Sequence, residues 1–133
     1  MDNRYAKLNN LFLRQSYMDS WEEYVRGIRS KHAIHWDYVI LTASNEEQAE
    51  VYRQQISERI KGGFLPQQTA YAILPDPQGK RVGSGGATFH VLKYIAEQSR
   101  LQGDNAPDAA AVFRGKRMLV IHSGGDSKRV PQY

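Results

Sequence analysis

Trp36-Asp37-Tyr38-Val39-Ile40-Leu41-Thr42-Ala43 is an apolar, β-branched and aromatic run of strand length with little alternation. A strand with one wet face alternates, whereas one covered on both faces does not, and cover on both faces marks a parallel sheet. Directly after it, Ser44-Asn45-Glu46-Glu47 carries a Ser-x-x-Glu capping box. The helix this opens lines up Ala49, Tyr52, Ile56 and Ile60 and stops at Gly62-Gly63. Thr69 to Leu74 (TAYAIL) is a second strand, and Pro75-Asp76-Pro77-Gln78-Gly79 is a turn by composition.

Farther along, Gly83-Ser84-Gly85-Gly86-Ala87-Thr88 reads as a glycine loop. Thr88, Val91, Leu92 and Ile95 then mark a third helix that ends near Arg100. Leu101 to Ala111 is a polar, alanine-rich connection, and Lys116 to His122 (KRMLVIH) is the third strand. Strand, helix, strand, helix, strand, joined by right-handed crossovers, predicts a parallel, doubly wound α/β sheet.

On the other side of the first strand, the opening thirty residues read as helical. Tyr17, Trp21, Tyr24, Val25 and Ile28 share one helix face, and Leu8, Leu11 and Phe12 form a shorter apolar patch before it. Residues 1–35 are therefore expected to be a helical extension and residues 36–133 the α/β part. Val130-Pro131-Gln132-Tyr133 stops within a stretch that reads as a functional loop, and three parallel strands make a thin sheet. The expectation is an incomplete domain from a larger protein.

With 133 residues the chain is long enough for one ordinary core. No apolar run approaches the roughly 20 residues of a membrane helix. Met1-Asp2-Asn3-Arg4 opens no signal-peptide apolar segment, so a cytoplasmic protein without a membrane partner is expected. The absence of cysteine excludes disulfides and thiolate zinc sites. The net charge of +4 is uneven: from Gly79 onward nine Lys/Arg face four Asp/Glu, and before it nine face ten. The positive excess therefore lies with the glycine-rich segments. A recognition helix and a row of aromatics are both missing there, which points to a small polyanion rather than nucleic acid.

Glycine lets a backbone pass close to a ligand, and a helix that follows turns its unpaired N–H groups and positive dipole end to the same spot. Gly83, Ser84, Gly85, Gly86 and Thr88 are thus candidate phosphate contacts, with Lys80 and Arg81 just upstream. The stretch is not the Rossmann fingerprint, since Thr88 stands where a third glycine belongs, and no Gly-Lys-Ser/Thr makes it a Walker A loop. Gly124-Gly125-Asp126-Ser127-Lys128-Arg129 is a second glycine segment with a basic tail. Gly124 and Gly125 are candidate phosphate contacts; Lys128 and Arg129 are suited to neutralising charge that builds on a phosphate in a transition state, and Asp126 to reaching a bound cation. A surface turn with a solvated basic pair fits the same residues.

The histidines carry less. His32 and His35 straddle a helix-to-strand change without a third ligand, His90 has no visible partner, and His122 reads as a packed histidine beside the second glycine segment. The Trp21 stripe is most simply core or interface packing.

Two strings together resemble the fucose-1-phosphate guanylyltransferase (GDP-fucose pyrophosphorylase) domain, as in the N-terminal part of bacterial bifunctional fucokinase/GDP-fucose pyrophosphorylases. One is Leu74-Pro75-Asp76-Pro77-Gln78-Gly79-Lys80-Arg81-Val82-Gly83-Ser84-Gly85-Gly86-Ala87-Thr88, and the other runs from Leu119 to Tyr133 (LVIHSGGDSKRVPQY). The resemblance implies a Rossmann-like, glycosyltransferase-A-like fold and transfer of guanylyl from GTP to β-L-fucose 1-phosphate, with Mg²⁺. It implies nucleotide contact at Gly83, Ser84, Gly85, Gly86 and Thr88, and phosphate contact at Gly124, Gly125, Lys128 and Arg129. Metal ligands are not identifiable in the sequence. The alternatives are a non-catalytic nucleotide-binding module and an oligomerising α/β module.

Overall fold

The computed structural model describes residues 3–80, 82–103, 108 and 110–123. It contains α1 (Asn3–Arg29), β1 (Tyr38–Ala43), α2 (Glu46–Lys61), β2 (Ala70–Pro75), α3 (Gly83–Leu101) and β3 (Met118–His122), with short 3₁₀ turns at Pro77–Gly79 and Ala111–Phe113. The three strands form a parallel sheet in the order β2-β1-β3. The parallel α/β expectation holds.

Strand register separates the side chains into two layers. Tyr38 and Ile40 lie in line with Ala72 and Leu74 of β2 and with Met118 and Val120 of β3, and this layer packs on Val91 and Ile95 of α3. Leu41, Ala43 and Ile73 project to the other side, against Ala49, Tyr52 and Ile56 of α2. Ile40 sits at the centre and is fully buried, as are Val91, Ile95 and Ala49. Each of the valine and isoleucine side chains contributes about 1.5–3 kcal/mol by leaving water. β1 is thus covered on both faces, which is why its run shows no polar alternation.

The ends of α2 rest on local chemistry. Its N-cap is Asn45, whose side chain accepts from the Gln48 N–H at 2.8 Å, while Gln48 Oε1 accepts from the Ser44 N–H at 2.7 Å. The capping residue is therefore one position later than the Ser-x-x-Glu pattern suggests, because Asn45 already has the extended backbone a cap needs. At the other end Gly63 adopts φ +76°, and the Phe64 N–H reaches the Arg59 carbonyl at 2.9 Å. This is a Schellman stop, and the positive φ explains the glycine.

The glycine stretch differs from its reading as a loop. Gly83 to Thr88 form the first turns of α3. Burial of Ala87 in step with Val91 and Ile95 carries the helix back through the glycines, offsetting their poor helix propensity of about 1 kcal/mol each. Gly83 alone needs its residue type for conformation, with φ +71° where the chain enters the helix.

None of the residues of α1 is buried. Trp21 and Tyr24 rest on Phe64, with ring centroids of Trp21 and Phe64 6.0 Å apart and the Tyr24 hydroxyl donating to the Phe64 carbonyl at 2.6 Å. Val25 and Ile28 are half-buried. Tyr17, at the other end of the expected stripe, stays exposed, because α1 runs past the edge of the body it is anchored to. The stripe is a seat at one end rather than a core face. No helix among the described residues is long and apolar enough to cross a membrane.

Candidate functional site

In a sheet of order β2-β1-β3 the chain winds from β1 to β2 on one side and then crosses back to add β3 on the other. The strand order thus switches between β1 and β3, and ligands of open α/β sheets bind beyond the carboxyl ends of the strands at such a switch point. The residues at that edge are Thr42 and Ala43 of β1, Asp76 after β2, and His122 and Ser123 at the end of β3. Asp76 is drawn in by its backbone, whose N–H donates to the Ala43 carbonyl at 2.8 Å. The Ser123 hydroxyl donates to the Thr42 carbonyl.

α3 begins at the same edge. No side chain caps it, since its N-cap position is Val82 with helical backbone. Gly83, Ser84, Gly85 and Thr88 are exposed. A Cβ built on Gly85 would meet nothing within 4 Å, so the fold leaves the space over this turn clear. A Cβ on Gly86 would lie 2.8 Å from the Cβ of Val82, a steric reason for that glycine. The arrangement offers the positive end of a helix dipole and an uncovered glycine backbone to an anion.

His122 joins the two parts. Its Nδ1 lies 3.4 Å from Thr42 Oγ1 and its Nε2 lies 3.4 Å from Thr88 Oγ1. Thr88 in turn donates to the Ser84 carbonyl at 2.8 Å. The ring is exposed at the edge rather than packed as the sequence suggested, because the strand's inward row has passed beyond the core by that residue. Sequence reasoning missed this contact; the one available signal was a histidine ending a strand beside a glycine segment.

Of the sequence-derived site residues, Gly83, Ser84, Gly85, Gly86 and Thr88 are brought together at the switch point. Gly124, Gly125, Asp126, Lys128 and Arg129 lie outside the described residues, as does Arg81. The chain leaves β3 from the same edge, with Ser123 tied to β1. No group of three or more metal-ligating side chains occurs among the described residues. His35 binds the Ser30 carbonyl at 3.2 Å, an ordinary local contact.

The chain matches no protein-family profile and no solved structure. It is similar to a bifunctional fucokinase/GDP-fucose pyrophosphorylase of Arabidopsis thaliana, 37% identical over 106 residues, covering 72% of this chain and 10% of that protein. It is also similar to fucose-1-phosphate guanylyltransferases of Mus musculus and Homo sapiens. Each is 38% identical over 96 residues, covering 72% of this chain and 15% and 14% of the respective relatives. The resemblance is thereby shown: the chain is homologous to a segment of these proteins. It spans no more than 15% of the length of the relatives it matches.

Proposed function

We propose that this chain, as a homologue of fucose-1-phosphate guanylyltransferases, forms the nucleotide-holding part of such an enzyme, which makes GDP-fucose and pyrophosphate from GTP and β-L-fucose 1-phosphate. The observation that carries this reading is the convergence of the Gly83–Thr88 helix start with the carboxyl ends of β1 and β3. On this reading the parallel sheet is the start of a Rossmann-like, glycosyltransferase-A-like nucleotidyltransferase domain over residues 36–133, with residues 1–35 as an extension, in a cytoplasmic protein.

The chemistry asks little covalent work of the protein. A phosphate oxygen of the sugar phosphate attacks the α-phosphorus of GTP, a new P–O bond forms, and the bond to the bridging oxygen breaks as pyrophosphate leaves. What must be supplied is alignment and compensation of charge on the reacting phosphorus. Backbone N–H groups at Gly83, Ser84, Gly85 and Gly86, with the α3 dipole behind them, suit the triphosphate, and the Thr88 hydroxyl lies beside them. Gly124 and Gly125 would complete the cradle, and Lys128 and Arg129 would neutralise charge that builds in the transition state. Mg²⁺, implied by the family, would screen the triphosphate when bound. The described residues offer no cluster to hold it, so none of these steps rests on it.

Calorimetric titration of GTP with Mg²⁺, against ATP, is the test. Preference for GTP, weakened about tenfold or more by a Lys128→Ala, Arg129→Ala double variant, is expected, since loss of charge-assisted phosphate contacts costs about 1.5–3 kcal/mol each. Equal heats for both nucleotides, or no effect of the double variant, would count against it.

A further inference from the structure

We propose that His122 is a positioning residue of the phosphate site: through both nitrogens of its ring it fixes the start of α3 against the ends of β1 and β3. This rests on the nucleotide reading above and adds a residue to it.

The hydrogen-bond directions assign the ring's tautomer. Thr88 Oγ1 has one proton, and that proton is committed to the Ser84 carbonyl at 2.8 Å. Only a lone pair remains for His122, so Nε2 must carry the hydrogen and donate. In the uncharged ring with its hydrogen on Nε2, Nδ1 is the acceptor and takes the Thr42 hydroxyl. Thr42 is buried, and this contact gives its hydroxyl a partner. A directed chain results, from Thr42 to His122 to Thr88 to the Ser84 carbonyl.

The helix start has little else to hold it. Gly83, Ser84 and Gly85 are exposed, a Cβ at Gly83 or Gly85 would touch nothing, and no side chain caps the first turn. Ala87 packs inward and anchors one side of the helix. The link to His122 spans 34 residues of sequence and ties the first turns of α3 to the end of β3. A site that compensates charge on phosphorus loses sharply when its donors move by a fraction of an ångström, so such a tether acts on ligand affinity more than on folding.

The test uses the full chain in two parts. First, the long-range ¹H–¹⁵N correlation of the His122 ring at neutral pH without nucleotide should give the Nε2–H tautomer; the Nδ1–H tautomer would overturn the proposal. Second, GTP with Mg²⁺ is titrated into wild type, His122→Ala, His122→Gln, His122→Asn and Thr88→Val, with thermal unfolding of each. A glutamine amide reaches the place of Nε2–H and an asparagine only that of Nδ1. His122→Ala, His122→Asn and Thr88→Val should therefore each weaken binding about tenfold with folding retained, while His122→Gln stays within about threefold of wild type. Combining His122→Ala with Thr88→Val should cost no more than either alone. Equal losses for Gln and Asn, or additive losses in the double variant, would overturn it. Absence of GTP binding in wild type would defeat the nucleotide reading itself, and the tautomer would still decide the tether.

Discussion

A methyl group on Gly86 would lie 2.8 Å from the Cβ of Val82, whereas one on Gly85, a residue earlier, would meet nothing within 4 Å. Two adjacent glycines in one helical turn thus answer to different demands. Gly86 is held by the fold; Gly85 has no partner among the described residues that requires it.

Alanine at the two positions separates these demands. Gly85→Ala should raise stability by up to about 1 kcal/mol through helix propensity and lower GTP affinity, because its Cβ enters the space a phosphate would use. Gly86→Ala should destabilise by roughly 1–3 kcal/mol through overpacking, partly offset by the same propensity gain. Thermal unfolding and calorimetry on both variants check this. Gly85→Ala with unchanged GTP affinity would show that the ligand does not approach there.

Ile95 is fully buried between α3 and the row formed by Tyr38 and Ile40. Ile95→Ala should cost about 2–5 kcal/mol, a large part of the stability of a domain this size. Urea unfolding should show the midpoint falling steeply with little change in slope. Lys93→Ala, on the exposed side of the same helix, should change stability by about 0.5 kcal/mol or less.

Phe64 anchors α1 by stacking with Trp21 and by its carbonyl, which accepts from Tyr24. Phe64→Ala removes the ring under Trp21 but keeps the carbonyl that accepts from Tyr24, and should loosen the last turns of α1 while leaving the sheet intact. Amide exchange should accelerate in residues 21–29 and remain slow in β1, and Trp21 emission should shift to the red. Loss of protection in β1 would show that α1 is part of the cooperative core.

Partial removal of water from around the hydroxyls raises the phenol pKa of both Tyr24 and Tyr71 above the ordinary value. Tyr71 donates to the Pro66 carbonyl at 2.9 Å, a bond available only to the neutral form. The unfolded chain therefore ionises these groups first. Their contribution to stability is complete below about pH 10, the unfolded value, and is lost as pH rises through the higher folded values. Spectrophotometric titration should find two phenols ionising late, and Tyr71→Phe should flatten the alkaline loss of stability.

The three strands and three helices were legible in the sequence because each is set by neighbours within a few residues. Unalternating apolar character marked β1, a polar cap and a glycine stop bracketed α2, and a spacing of three and four marked α3. The two strings behind the family resemblance were legible for the same reason, as short contiguous runs. Glycine, by contrast, is poor evidence of local state: Gly83 to Gly86 look like a loop and become helix because Ala87, Val91 and Ile95 are buried together.

What the sequence by itself determined, then, is the set of elements, their parallel character and the glycine chemistry at a strand-to-helix junction. Strand order and the meeting of His122 with Thr42 and Thr88 were decided only by tertiary structure. These depend on register between segments 34 and 80 residues apart, and no local pattern encodes which distant side chain will stand opposite. That choice is made by burying Ile40 on both sides at once, which β2-β1-β3 pairing accomplishes.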